Sequence, residues 1–161
     1  MVMKPEHRRT MRKKDRLISE DEARSIMEKG EYGILSTVSS ENEPYGVPLN
    51  YCLINGNICF HCAPEGQKID NMKDNPRVSF CVVGRTQIQP DKFTTRFESC
   101  IVQGIAEEVF DEEKQAALEG LIEKYSRAFL AEGKEYIHRV HAETKVYKIV
   151  PVSVSGKANR K

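Results

Sequence analysis

Asn55-Gly56 lies between two apolar runs, YCLI and NICFH, and constrains the fold more than any other dipeptide in the chain. Both residues tolerate positive φ, and a two-residue loop of that kind joins antiparallel strands whose right-handed twist it matches. A hairpin over residues 45–54 and 57–61 follows. Upstream, YGILSTV (32–38) reads as another strand, and the polar run SSENE (39–43) turns it into the next one. Three antiparallel strands in succession are expected, the second of them carrying Pro48.

Helices flank this β-rich centre. Ser19 followed by Glu22 is a capping box, and Ala23, Ile26 and Met27 supply an apolar face, so a short helix is expected over 19–29, ending at Gly30. A second helix is expected over 67–75, stopping at Asn75-Pro76. Residues 78–83 then form a strand, a polar stretch with Pro90 follows, and 97–109 form another strand, bent or bulged at Gly104. Asp111 is expected to cap a longer helix with Leu118, Leu121, Ile122 and Tyr125 at helical spacing, and 144–154 return as the last strand. Six strands with flanking helices make a mostly β fold, a small antiparallel Greek-key-like barrel.

The 161 residues, 39% hydrophobic and 30% charged, suit one domain. Residues 1–16 hold seven Lys or Arg against Glu6 and Asp15. They are read as a basic flexible arm before a domain over 17–156 and a tail over 157–161. That arm lacks interleaved aromatic residues, and the remainder is mildly acidic, so nucleic-acid binding is not expected. No apolar run approaches the roughly 18 residues of a membrane span, and no apolar leader is evident, which predicts a cytoplasmic protein without membrane contact. Five cysteines, mostly within apolar runs, suit reduced core thiols.

Three chemistries compete at FHCAPEGQK (60–68). Cys59-x-x-Cys62 has the spacing of zinc and thiol-redox sites, but a strand points positions i and i+3 to opposite faces, and no second ligand pair completes a metal set. No metal is expected. Phosphate binding fares better, because Gly66, Gln67 and Lys68 stand where a strand gives way to a helix start: free N–H groups, the positive dipole end and an ammonium converge there. Anion binding and a merely solvated lysine both fit this pattern, and His61 either adds a donor or simply packs. The spaced glycines of a nucleotide-binding P-loop and the G-x-G-x-x-G nicotinamide fingerprint are both missing.

The ordered set Y-G-I-L-S-T-V, N-x-P-x-x-x-P-L-N-Y, F-H-C-A-x-E-G-x-K, N-P-R-V-S-F and E-S-x-x-V-x-G resembles the pyridoxamine 5′-phosphate oxidase-like flavoproteins of the FMN-binding split-barrel fold, especially the nitroimidazole-resistance branch. The resemblance spans roughly residues 19–156. It implies FMN as cofactor, with Val47, Pro48, Leu49, Asn50, Tyr51 and Cys52 along the ring and ribityl chain. His61, Cys62, Gln67 and Lys68 would hold the phosphate end, and Ser99 would contact the flavin from the second subunit of a homodimer. It further implies an oxidoreductase acting on a small electron-poor molecule, with His61 the candidate catalytic residue. A flavin- or haem-binding module without turnover is the alternative. Gln67 stands where the oxidase has an arginine, and the C-terminal VPVSVSGKANRK lacks the oxidase's pyridoxal-phosphate arginine and histidine, so vitamin B6 oxidation is not expected.

Overall fold

The computed structural model describes residues 11–161, so most of the basic arm lies outside the described residues. The elements in chain order are β1 (Leu17–Ile18), α1 (Glu20–Lys29), β2 (Gly33–Val38), β3 (Pro44–Leu49), β4 (Cys52–Ile54), β5 (Asn57–Cys62), α2 (Gln67–Asp74), β6 (Arg77–Gln89), β7 (Thr94–Val109), α3 (Asp111–Tyr125), α4 (Leu130–Val140) and β8 (Lys145–Asn159). The capping box forms as expected: Glu22 N–H donates to Ser19 Oγ at 3.2 Å while Ser19 N–H donates to the Glu22 carboxylate at 3.1 Å. Asn55 and Gly56 both take positive φ, 51° and 79°, and close the β4–β5 hairpin. Asp111 does not cap α3; it is the first helical residue, at φ 48°, and no side chain caps that helix.

One antiparallel sheet runs in the order β3-β2-β6-β7-β8-β5-β4, with β1 added beside β8. The expected strand 45–54 is in fact broken at Asn50-Tyr51, which raises the count above six. Its halves pair with different neighbours: β3 lies beside β2 at one edge and β4 beside β5 at the other. Leu49 and Cys52 therefore belong to opposite edges, yet three trans peptides separate them by at most about 11 Å. The sheet has to curl until its edges nearly meet, which is a split barrel.

The strands around the break also run longer than the sequence suggests. β6 and β7 continue as a paired arm past Val83, through an irregularity between Val83 and Thr86, to a tip over Pro90–Phe93. β8 continues to Asn159, because Lys157 and Gly156 pair with β1 as well as β7, so the expected tail is in part strand. The bulge expected at Gly104 is present, with the extra residue, Val152, on the facing strand. α4 has no counterpart in the sequence reading.

Two apolar clusters fill the fold. The barrel interior holds Leu35, Tyr51, Ile58, Phe60, Phe80, Val82, Val102 and Ile149, plugged by Ala23, Ile26 and Met27 of α1 and by Ile69 and Met72 of α2. A second cluster lies outside the barrel, where Cys52, Cys59 and Val146 meet Ala117, Leu118 and Leu121 of α3 and Ile137 of α4. α1 ends at Gly30 because of space rather than handedness: its φ is −66°, but a Cβ there would stand 2.3 Å from Val82 Cγ1 and 2.7 Å from the Tyr51 hydroxyl. No helix among the described residues is long and apolar enough to cross a membrane.

Candidate functional site

β5 ends at Cys62 and α2 begins at Gln67, so the strand delivers the chain directly to an open helix start. Gly66, the residue before α2, has φ 139° and ψ 161°, a conformation essentially restricted to glycine. No side chain caps α2. The first turn closes when Ile69 N–H donates to the Gly66 carbonyl at 2.8 Å, which leaves the N–H groups of Gln67 and Lys68 ahead of the intrahelical ladder. A Cβ on Gly66 would meet nothing within 4 Å, so the space over this turn is open. Among the residues present, backbone donors, an ammonium and an imidazole fit an anion such as a phosphate monoester.

His61 projects from the outer face of β5, exposed, with Lys68 close enough to affect its ionisation. Partial desolvation, and secondarily the Lys68 charge, hold its imidazole below the ordinary histidine value. Any step that depends on neutral His61 should therefore titrate below the reference near 6.5. If the chain performs the flavin-dependent reduction that the resemblance implies, the expected result is a pH profile that inflects below this value in the wild type and loses the inflection in His61→Ala. The variant's rate per bound flavin should fall more than its flavin affinity.

The other expected site residues divide by face. Val47 and Leu49 pack against the barrel interior, as does Cys62, and the Tyr51 ring is fully buried there. Tyr51 donates its hydroxyl to the Met27 carbonyl and meets Phe80 edge-on at 5.0 Å. The Cys52 thiol points the other way, under α3, where it donates to the Ala117 carbonyl at 3.4 Å. Along this segment only Pro48 and Asn50 are exposed; the side chains of Val47, Leu49, Tyr51 and Cys52 are committed to packing, and their backbone is what a ligand could meet.

Pro48 opens a row across the outer face of the sheet. It pairs with Ile34, Ile34 with Cys81, and Cys81 with Ile101, while Val83 and Ser99 form the adjacent rung. Ser99 thus shares a face with Pro48. It is far from His61 within one chain: Ser99 pairs with Lys157 and His61 with Val146, eleven residues apart on β8, or roughly 35 Å along an extended strand. A groove of about 680 Å³ follows β3 along Tyr32, Ile34, Gly46, Pro48, Leu49 and Asn50.

Cys59 and Cys62 confirm the strand argument. Cys59 belongs to the outer cluster and Cys62 to the barrel interior, so their sulfurs lie on opposite sides of the sheet. Burial pushes both thiols up to about 11. Cys59→Ser should lower thermal stability, by about 1–3 kcal/mol for a buried hydroxyl, and leave intact any flavin reduction of the kind the resemblance implies; elemental analysis finding stoichiometric zinc would contradict the geometry.

The sequence reading missed two residues beside the chain break. The Tyr125 hydroxyl accepts from Tyr51 N–H at 3.1 Å and lies 2.6 Å from the Glu31 carbonyl, to which it donates. It pins the β3–β4 break to the end of α3. Lys124 sets its ammonium 3.7 Å from the Tyr51 ring centroid. Tyr125 appears in the sequence only as a helical-face position, and nothing there signals a contact with residue 51.

A curled antiparallel sheet with split edges, an uncapped glycine-led helix start and an exposed groove along the broken strand define a split-barrel domain. The chain belongs to the pyridoxamine 5′-phosphate oxidase family, whose model matches residues 19–158. No curated protein matches it in sequence. Among solved structures, it is similar to the conserved hypothetical protein Rv2991 of Mycobacterium tuberculosis, at 22% identity and a TM-score of 0.80 over 94% of this chain and 91% of that one. It also resembles a protein described as a 5-nitroimidazole antibiotic resistance protein from Bacteroides thetaiotaomicron (24% identity, TM-score 0.71, covering 88% and 86%). A third is an FAD and haem binding protein of Mycobacterium smegmatis (13% identity, TM-score 0.76, covering 89% and 72%). At these identities the likeness is one of fold.

Proposed function

We propose that this protein binds FMN and acts as a homodimeric, cytoplasmic oxidoreductase that reduces a small electron-poor organic molecule. The observation that carries the reading is the uncapped start of α2, where Gly66, Gln67 and Lys68 present open donors beside His61, in a chain of this family. Gln67 and Lys68 would hold the phosphate, and the exposed backbone of Pro48 to Asn50 would lie against the ring. A bound flavin supplies the electron-carrying chemistry itself. His61 would face the acceptor and exchange a proton with it.

The dimer rests on the outer face. Ile34, Val83 and Ile101 are large apolar side chains exposed on one side of the sheet, an area that a soluble monomer seldom leaves open. Cys52 and Ile54 of β4 lie under α3 and Leu53 packs toward the barrel interior, so the uncovered face centres on Pro48, Ile34, Cys81 and Ile101 rather than extending to Leu53. A second copy would also bring a Ser99 toward the groove along β3. Sedimentation should give a dimer at micromolar concentration; a monomer that retains flavin would contradict it.

The absorption spectrum of the purified protein tests the cofactor, and anaerobic reduction followed by an acceptor screen tests turnover. A flavin- or haem-binding module without turnover is the second reading, favoured by neighbours described as haem-binding proteins. A Soret band, or reduced flavin that no acceptor reoxidises, would support it.

A further inference from the structure

Beside the β3 groove lies a second cavity of about 560 Å³, between the end of α1, the end of α3 and the chain break. The two share Tyr32 and Asn50 in their walls, so they adjoin there. The volume suits a small organic ligand, for which pockets of ~300–1,000 Å³ are usual. Three observations describe its chemistry. The rings of Tyr32 and Tyr125 are partly exposed on its wall. Lys124 reaches it from α3, half-buried, with its ammonium over the Tyr51 ring and 5.3 Å from the Tyr125 ring centroid. Among the described residues Lys124 has no carboxylate within salt-bridge distance and donates no hydrogen bond.

A cation held by aromatic faces alone keeps its N–H donors available. It is also half-buried, which holds its amine below the ordinary value, so an arriving anion would find a partly desolvated partner. Glu28 and Glu31 also line the cavity, with Lys29 between them, and they oppose a second negative charge.

We propose that this cavity binds a small aromatic monoanion, its carboxylate on Lys124 and its ring between Tyr32 and Tyr125. Its place beside the β3 groove, with Tyr32 and Asn50 in both walls, makes it the place for the acceptor; that assignment rests on the flavin reading, whereas the binding itself does not.

4-Nitrobenzoate titrated into the purified protein, followed by calorimetry and by shifts in the amide spectrum, tests the site. Saturable binding with shifts at Tyr32, Asn50, Lys124 and Tyr125 is expected, with 4-nitrobenzyl alcohol and terephthalate both weaker. Lys124→Met should weaken 4-nitrobenzoate about 10- to 100-fold, the usual range for a charge-assisted hydrogen bond, and Lys124→Arg should keep most of the affinity. Flavin content, read from the absorption spectrum, should not change in either variant. Equal affinity for the acid and the alcohol in wild-type protein would overturn the proposal even if Lys124→Met does not fold, and so would unchanged binding in Lys124→Met or shifts confined to other faces. If 4-nitrobenzoate binds as described while the protein takes up no flavin on titration, the cavity stands and the oxidoreductase reading falls.

Discussion

Replacing Lys68 by alanine is expected to weaken FMN binding by about 1.5–3 kcal/mol, the usual worth of a hydrogen bond to a charged group. That corresponds to roughly ten- to hundredfold in Kd. Lys68 sits in the first turn of α2, where Gly66 takes a conformation that places its carbonyl under Ile69 N–H and leaves the preceding N–H groups free. Removing the ammonium leaves those backbone donors and the helix dipole in place, so binding should weaken rather than vanish. Lys68→Arg should retain most of the affinity. Fluorescence titration of the flavin measures both variants, and an unchanged Kd in Lys68→Ala would move the phosphate elsewhere. The fold should survive, because Lys68 is only half-buried and α2 is anchored instead by Ile69, Met72 and the Asn71 amide, which donates to Thr37 Oγ1 at 2.9 Å.

Tyr51→Ala should cost about 3–5 kcal/mol of stability, as for other large aromatic truncations in a core. The ring is fully buried, meets Phe80 edge-on, carries Lys124 on its face and ends in a hydrogen bond to the Met27 carbonyl. Tyr51→Phe removes only that last bond and should cost about 1–3 kcal/mol for an unsatisfied buried carbonyl. Since the side chain points into the barrel, Tyr51→Phe should leave flavin affinity unchanged. Denaturant unfolding with a parallel flavin titration separates the two effects. A large loss of flavin affinity at unchanged stability would return the Tyr51 side chain to the binding surface, where the family resemblance alone would have put it.

The same residue shows how far the sequence could be read. The alternation through YGVPLNYCLI marks it as strand, but alternation reports only that one face is apolar and is silent on which strand lies alongside. β3 and β4 satisfy it on opposite edges of the sheet. The helix start at Gly66 was legible because its cause is local: a glycine, a strand end before it and a helical pattern after it. His61 and Lys68 came together for the same reason, as both flank that junction. Ser99 could be assigned only by resemblance, and within one chain it stands on another part of the sheet.

The sequence by itself determined the elements whose causes lie within a few residues: the Asn55-Gly56 turn, the Ser19–Glu22 capping box, the stop of α2 before Pro76, the bulge at Gly104 and the separation of Cys59 from Cys62 across a strand. The tertiary structure alone decided that β3 and β4 part company at Asn50-Tyr51, that Tyr125 pins the break, and that Lys124 stands over the Tyr51 ring beside an open cavity. Those contacts join residues more than seventy positions apart. Their energies depend on a curled sheet bringing its edges together, and no pattern within a few residues encodes which distant side chain will fill the gap.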